Sequence, residues 1–344
     1  MPDLNLNFAS DNTGPVAPEI WAAMTEANAG GVMPYGADPW SEVVRDRLRA
    51  LLGWPEAEVL LVTTGTAANA LALSALVRPW ETVLCHARAH IHEDECAAPE
   101  FYTGGAKLTL VSGDHGRMTP DALRAALAPL SSGAVHSVVP GALSLTNVTE
   151  MGTVYSSADL DALCEVARGA GMRTHLDGAR LANACAAASC TPAEMARGFD
   201  VVGFGGTKNG CMGVEAVMVR DPGRKRELEY RRKRAGHLWS KHRFLSAQMA
   251  AYLDGDLWLD LARRANAAAA RLAAGLTARG VEMVYPPEAN VIFCRLPRAV
   301  HERAAGRAQF YLMDAHPERP LARLVCDPTK TEAEVDRLLE LLFP

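Results

Sequence analysis

Short runs of apolar and β-branched residues alternate along the chain with longer stretches whose apolar positions recur every three to four residues. The short runs predict strands and the longer stretches predict helices. Strands are expected at 59–63, 82–86, 107–111, 137–145, 172–176, 201–204 and 216–219. Helices are expected between them at 67–76, 120–127, 158–170 and 192–197. This alternation predicts an α/β fold with a mostly parallel seven-stranded sheet covered by helices on both faces.

The pattern becomes helical after residue 230. Residues 257–279 form an alanine-rich amphipathic stretch that stops at Gly280, a residue suited to end a helix. Further strands are expected at 291–296 and 322–326, and a terminal helix at 332–342. We therefore expect a large domain over residues 1–248 and a small α+β domain over residues 249–344.

Composition and charge argue against several classes of protein. Of the 344 residues, 49% are hydrophobic and 22% are charged, which is typical of a globular protein with a sizeable core. The formal net charge is only -5, and the most basic stretch, 224–234, interleaves glutamates with arginines, so no nucleic-acid partner is expected. A signal peptide and a bilayer-spanning run are both absent from the sequence pattern, so neither export nor a membrane partner is expected.

The cysteines indicate a reducing compartment. They are scattered, without a Cys-x-x-Cys pair or a regular spacing. Such cysteines are typical of buried, reduced thiols. We therefore expect a cytoplasmic protein.

The first candidate for chemistry lies just past the first strand, because ligands of open α/β sheets bind outside the carboxyl ends of the strands. Gly65 permits a tight turn there. The side chain of Thr66 and the free N–H groups at the helix start can hold a phosphate group. A helix cap without a ligand explains the same residues equally well, because threonine is common before helices.

Two further candidates follow successive strands. Asp177 ends one strand with Arg180 three residues later, and Lys208 lies among four glycines one unit further on. An acid at a strand end is often only a helix cap, and the lysine spacing fits neither a P-loop nor a dinucleotide fingerprint. If the two strands are neighbours, however, Asp177 and Lys208 face one crevice. Pyridoxal phosphate (PLP) requires such a pair, because a lysine forms a Schiff base with its aldehyde and a carboxylate keeps its pyridine nitrogen protonated.

In combination and in this order, the motifs resemble the low-specificity threonine aldolases and phenylserine aldolases of the PLP-dependent β-eliminating lyase and aldolase family. The resemblance covers nearly the whole chain and implies an aspartate aminotransferase-like large domain. Its lysine context, Gly-Thr-Lys-Asn-Gly, is similar to one bacterial branch of the family. The matching segments are 10–13, 35–39, 64–69, 89–91, 152–155, 175–180 and 206–210.

The resemblance implies a role in cofactor binding for six residues, one of which, Arg180, would also lie near the substrate. Lys208 would carry PLP, and Asp177 would pair with the pyridine nitrogen. Gly65 and Thr66 would bind the phosphate. His90 would lie against the ring face, near the substrate hydroxyl.

The resemblance also implies the contacts of the substrate. Arg180 would lie near a cofactor oxygen and the substrate carboxylate. Arg323 would grip the carboxylate with help from Ser10. Tyr35 would reach the active site of a neighbouring subunit, which implies a homodimer or homotetramer with shared active sites.

One departure from the family concerns a second active-site histidine. Many members carry Asn-Thr-His where this chain has Asn147-Val148-Thr149. Thr149, Glu150 or a water molecule is therefore a candidate for its part in deprotonating the substrate hydroxyl.

The expected reaction is a retro-aldol cleavage of threonine, allo-threonine or phenylserine to glycine and an aldehyde. It needs a base for the hydroxyl proton, an electron sink and a fixed orientation of the substrate. His90 is the candidate base, and Arg323 with Arg180 would orient the carboxylate. A β-elimination or a transamination on the same scaffold is the alternative, and a non-catalytic PLP-binding protein is a third.

A zinc site is the competing interpretation of one segment, because histidines, acids and a cysteine crowd residues 86–96. The spacing matches no zinc motif. In a helix, His90 and His92 would not share a face. No metal is therefore expected.

Overall fold

Two β-sheets organise the chain, which the computed structural model describes for residues 6–344 without the side chains of residues 131 and 132. The strands of the larger sheet are β1 (Glu58–Val62), β2 (Glu81–His86), β3 (Lys107–Val111), β4 (Val139–Thr146), β5 (Arg173–Asp177), β6 (Val201–Gly205) and β7 (Glu215–Val219). Their order is β1-β7-β6-β5-β4-β2-β3. Strand β7 runs antiparallel to both of its neighbours, whereas the other pairs are parallel.

Helices cover both faces of this sheet, as the continuous apolar strands predict. Consecutive residues of one strand pack into different hydrophobic cores: Val202 into one and Val201 into the other. The helices are α1 (Pro18–Ala27), α2 (Pro39–Leu52), α3 (Gly65–Leu76), α4 (His90–Glu93), α5 (Ala98–Thr103), α6 (Pro120–Leu127), α7 (Ser157–Gly169), α8 (Leu181–Ala188), α9 (Pro192–Met195), α10 (Lys225–Arg234), α11 (Arg243–Tyr252), α12 (Leu257–Thr277), α13 (Arg298–Ala304) and α14 (Glu332–Leu342).

The smaller sheet is antiparallel and has its own core. Its strands are β8 (Glu282–Met283), β9 (Val291–Arg295), β10 (Tyr311–Leu312) and β11 (Leu321–Val325), in the order β10-β11-β9-β8. The N-terminal segment joins this unit, because Phe8 is buried in its core and accepts a 2.8 Å hydrogen bond from the amide of Val325. This contact carries the following residues, from position 9 onward, to the junction of the two sheets.

The predicted α/β fold is confirmed. Each of the seven predicted strands is present, with bounds that differ by at most two residues. The helix expected at 192–197 ends earlier, at Met195, and the one expected at 257–279 ends at Thr277, although Gly280 adopts the expected positive φ of 76°.

The domain boundary near residue 248 remains a prediction. Residue 248 lies inside α11, and the first half of α12 still packs into the core of the large sheet through Trp258 and Leu261. The second half of α12 packs into the core of the small sheet through Leu272 and Leu276. Within residues 6–344, no helix combines the length and the apolar character that a membrane crossing requires.

Glycines allow the C-terminal ends of β5 and β6 to meet backbone to backbone. A Cβ atom on Gly178 would lie 2.0 Å from the carbonyl oxygen of Gly203, and one on Gly205 would lie 2.5 Å from that of Ala179. The close approach allows the amide of Gly205 to donate a 3.0 Å hydrogen bond to the carbonyl of Gly178. Any side chain at these positions would push the two strand ends apart.

We predict that Gly178→Ala destabilises the protein by about 1 to 3 kcal/mol, because the new methyl group overpacks against the β6 backbone. Gly169→Ala is the matched control, since Gly169 is helical and has open space around it, and it should stabilise by roughly 0.5 to 1 kcal/mol. Urea unfolding measures both. Equal stability of Gly178→Ala and wild type would contradict the close approach.

Candidate active site

Asp177 and Lys208 lie at the ends of adjacent strands. β5 and β6 are parallel neighbours; Asp177 is the last residue of β5, and half-buried Lys208 lies in a 3-10 turn (Thr207–Asn209) just past β6. Burial opposes ionisation of Asp177, but positive charge from His175 and Lys208 holds its pKa below the ordinary value. The condition that the sequence left open, adjacency of the two strands, is therefore met.

The residue after Lys208 fixes the turn that carries the lysine. The side-chain nitrogen of Asn209 donates 2.7 Å hydrogen bonds to the hydroxyl of Tyr252 and to the carbonyl of Trp258. Gly205 and Gly206 beside it make room for the neighbouring backbone and for Cys211.

The N-terminus of α3 combines a cap with an open cradle. Thr64 is the cap: its hydroxyl accepts a 3.1 Å bond from the amide of Ala67, and its carbonyl accepts one from Ala68. The amides of Gly65 and Thr66 precede these bonds and belong to the orphan donors of a helix start. No atom lies within 4 Å of a Cβ built on Gly65, so there is open space where an anion can approach.

His90 begins α4, directly after β2, and its ring is held by a buried acid. Its Nδ1 lies 2.8 Å from Oε1 of Glu95, and its backbone amide donates to Oε1 of Glu150 at 3.2 Å. The hydrogen bond with Glu95 raises the pKa of His90, and the charges of Glu150 and Asp177 act in the same direction against burial. The imidazole therefore titrates above its ordinary range.

Asn69 connects this acid to the partner expected for the pyridine nitrogen. Its side-chain nitrogen donates to Oε1 of Glu95 at 2.7 Å and to Oδ2 of Asp177 at 2.8 Å. Sequence reasoning missed Asn69, and it considered Glu95 only as a zinc ligand. The available signal was the position of Asn69, one helical turn after Gly65 on the same helix.

Arg180 is paired with an acid that sequence reasoning also missed. Its Nε and Nη2 donate to the two carboxylate oxygens of Asp11 at 2.6 and 2.9 Å, and both side chains are buried. Asn290 donates a further 3.1 Å bond to the same carboxylate. Burial opposes ionisation of Asp11, but Arg180 holds its pKa below the ordinary value. The charge of Arg180 is therefore largely neutralised.

Arg323 and Ser10 lie beside this ion pair. Arg323, on β11, donates from Nη1 to the carbonyl of Ala9 at 3.2 Å, and Ser10 caps the 3-10 turn that contains Asp11. Burial lowers the pKa of Arg323, and the charge of Arg180 lowers it further. Ser10, Arg180 and Arg323 therefore lie close together. The guanidinium groups of both arginines are near the carboxylate of Asp11, which is paired with Arg180.

Of the two residues expected to replace the second histidine, Glu150 faces the site. The Thr149 hydroxyl lies 2.7 Å from that of Thr153 and accepts from the Thr153 amide, so it is engaged in a local turn. Burial raises the pKa of Glu150, as does the charge of Asp177. Glu150 is therefore the better-placed candidate.

Two other buried titratable groups escaped sequence reasoning. Glu215, at the start of β7, is buried near Lys208, and burial raises its pKa to about 7. His175 lies two residues before Asp177 on β5, and burial lowers its pKa to about 4. His175 belongs to the 175–180 motif but had no expected role, whereas Glu215 lies in no motif and only the sheet order brings it to the site.

Tyr35 lies apart from these residues within the chain. Its ring is 48% exposed and 5.2 Å from Nζ of Lys233, and its amide donates to the carbonyl of Ser240 at 3.1 Å.

The crowded segment 86–96 does not form a metal cluster: across residues 6–344, no three His, Cys, Asp or Glu side chains are grouped to hold an ion. Its residues have other contacts. His86 lies 3.1 Å from the carbonyl of Gly113, and Glu93 pairs with Arg88 at 2.8 Å.

We predict that Asp11→Asn lowers the free energy of unfolding by about 3 to 5 kcal/mol at pH 7, because it leaves the buried charge of Arg180 uncompensated. The depressed pKa of Asp11 makes this contribution complete above pH 3.8 and loses it as the pH falls through the folded-state pKa, so the difference should shrink in acid. Asp336→Asn, which breaks an exposed pair with Arg271, is the control and should change little. A negligible effect of Asp11→Asn in urea titrations would contradict the assignment.

The chain is similar in sequence and in fold to known proteins. A family model described as beta-eliminating lyase matches residues 7–298. The low specificity L-threonine aldolase of Pseudomonas aeruginosa is 40% identical over 99% of this chain and 97% of its own length. A solved structure of Leishmania major threonine aldolase matches with a TM-score of 0.93 at 28% identity, covering 98% of each chain. Thermus thermophilus aspartate aminotransferase shares the fold, with a TM-score of 0.72 at 17% identity over 98% of this chain and 91% of its own. The chain therefore belongs to the beta-eliminating lyase family of pyridoxal-phosphate-dependent enzymes.

Proposed function

We propose that the protein is a PLP-dependent aldolase that cleaves L-threonine, allo-threonine or another β-hydroxy-α-amino acid such as phenylserine to glycine and an aldehyde. The pairing of Lys208 with Asp177 at adjacent strand ends carries the proposal. A 40% identity to a low specificity L-threonine aldolase, over nearly the full length of both chains, supports the choice of reaction.

The donor set of the site fits PLP. The open N-terminus of α3 at Gly65 and Thr66 suits the phosphate, and the anionic carboxylate of Asp177 suits the pyridine nitrogen. The amine of Lys208 suits the aldehyde. When bound, PLP supplies the electron sink for the bond that breaks at Cα.

The end of the site that holds Arg323 and Arg180 would orient the substrate. Arg323 would bind the substrate carboxylate, and Ser10 would assist from the adjoining turn. Arg180 is already held by Asp11, so it supplies a fixed wall of the pocket and a weaker attraction. A clamped carboxylate fixes the rotation about Cα and so selects which bond is cleaved.

His90 would take the proton of the substrate hydroxyl. It can do so only in its neutral form, and its pKa is raised by Glu95. Turnover should therefore fall as the pH is lowered through that raised pKa. Glu150, which accepts a hydrogen bond from the backbone amide of His90, is the second candidate to receive the proton.

The assembly and location are further parts of the proposal. Tyr35 is exposed, and its loop contacts the segment that bears half-exposed Trp239, as expected of a surface that a second copy covers. A homodimer or homotetramer would bring Tyr35 into a neighbouring active site. Eight unpaired cysteines support a cytoplasmic location.

We predict that Lys208→Ala abolishes glycine release and that Asp177→Ala reduces it by several orders of magnitude, because each removes a group that the cofactor needs. Lys107→Ala, at an exposed position on β3, is the control and should match wild type. The assay incubates the loaded protein with threonine, allo-threonine and phenylserine and measures aldehyde and glycine.

Three results would contradict the proposal. Near-normal turnover by the Lys208 or Asp177 variant would reject the site. Pyruvate with ammonia would indicate β-elimination, and a new amino acid from a keto acid would indicate transamination.

We predict that sedimentation velocity at micromolar concentration gives at least twice the chain mass of 36.8 kDa. Tyr35→Ala should lower turnover while the variant keeps its mass, because the ring would act in the partner's site. A monomer with full activity would contradict shared active sites.

A further inference from the structure

A buried chain of hydrogen bonds links the ring of His90 to the carboxylate of Asp177. It runs from Nδ1 of His90 to Oε1 of Glu95 at 2.8 Å, and from that oxygen to the side-chain nitrogen of Asn69 at 2.7 Å. The same nitrogen reaches Oδ2 of Asp177 at 2.8 Å. The proposed reaction uses the two ends of this chain and leaves its middle unexplained.

Burying the side chain of Glu95 at this position costs free energy. Its side chain is fully buried, and its second oxygen, Oε2, has no hydrogen-bond partner among the described residues. Burial raises the pKa of Glu95, against the bonds from His90 and Asn69. Buried acids with an unsatisfied oxygen are uncommon in folded proteins and call for a functional reason.

The chain fixes where the proton of the imidazole resides. An ionised carboxylate only accepts hydrogen bonds, so its contact with Nδ1 places the hydrogen of the neutral ring on Nδ1. Nε2 of His90 is then left with its lone pair, which is the form that a base requires. The amide of Asn69 can donate both of its hydrogens, one to each acid, and so fixes Glu95 relative to Asp177.

Other charges near His90 do not replace this contact. Glu150 accepts from the backbone amide of His90 rather than from its ring, and Asp177 acts at a distance through its charge. Glu93, two residues from Glu95, is exposed and pairs with Arg88 instead.

We propose that Glu95 is a positioning residue that acts through His90, holding its hydrogen on Nδ1 and leaving Nε2 free as the base, while Asn69 anchors Glu95 to Asp177. The proposal depends on the aldolase function for the role of the base. The ring's tautomer and its tie to Glu95 do not depend on that function, so they can be tested separately.

The test compares Glu95→Gln with wild type. Glutamine keeps the size and one acceptor oxygen but removes the charge, so the variant should fold; Glu93→Gln is the matched control on the same segment. Nitrogen NMR of histidine-labelled full-length protein, with and without PLP, reports the tautomer and titration of His90, which is assigned by its loss in His90→Asn. The pH profiles of kcat and KM are recorded in parallel.

In wild type and Glu93→Gln, the neutral ring should carry its hydrogen on Nδ1. In Glu95→Gln, the pKa of His90 should fall, the acid limb of kcat should move to lower pH, and kcat should drop roughly 10- to 100-fold with KM little changed. Hydrogen on Nε2 in wild type, or an unmoved His90 titration in Glu95→Gln, would overturn the proposal. If no substrate yields aldehyde, the aldolase function fails, and the NMR titration still decides whether Glu95 positions His90.

Discussion

The contact between the C-terminal ends of β5 and β6 is the constraint on which the site depends. Their backbones meet at Gly178 and Gly205, where an added Cβ would lie 2.0 Å from the carbonyl oxygen of Gly203 and 2.5 Å from that of Ala179. Asp177 and the turn of Lys208 are continuous with these strand ends, so the packing of the two strands sets the separation of the two residues' backbones. Such preorganisation is what a covalently held cofactor requires, because its two ends must be met at once.

Around this pair, buried charges are arranged in two groups with different tasks. Asp11 neutralises Arg180 and ties the N-terminal segment to the large sheet, so Arg323 is left as the guanidinium that can attract a carboxylate. On the other side, Glu95 and Asn69 join His90 to Asp177 through hydrogen bonds. Pairing these buried charged groups with hydrogen-bonded partners lowers the free-energy cost of burying them.

The fold could be predicted from the sequence because apolar periodicity reports burial directly. Asp177 and Lys208 could be proposed because the apolar runs also show where each strand ends. Asp11 and Asn69 could not, because their partners lie far along the chain: Asp11 meets Arg180 across 169 residues, and Asn69 meets Asp177 across 108. Glu95 is only five residues from His90, but the sequence does not show that its side chain is buried against that ring. The packing of Gly205 against Ala179 could not be predicted either, because the sequence shows that a side chain is absent but not which backbone fills the space.

The proposed site requires Lys208, and no other lysine, to carry the cofactor opposite Asp177. Borohydride reduction of the PLP-loaded protein, followed by proteolysis and mass spectrometry, locates the pyridoxyl group directly. We expect a single modified peptide that contains Lys208. A pyridoxyl group on another lysine, or none on any peptide, would contradict it.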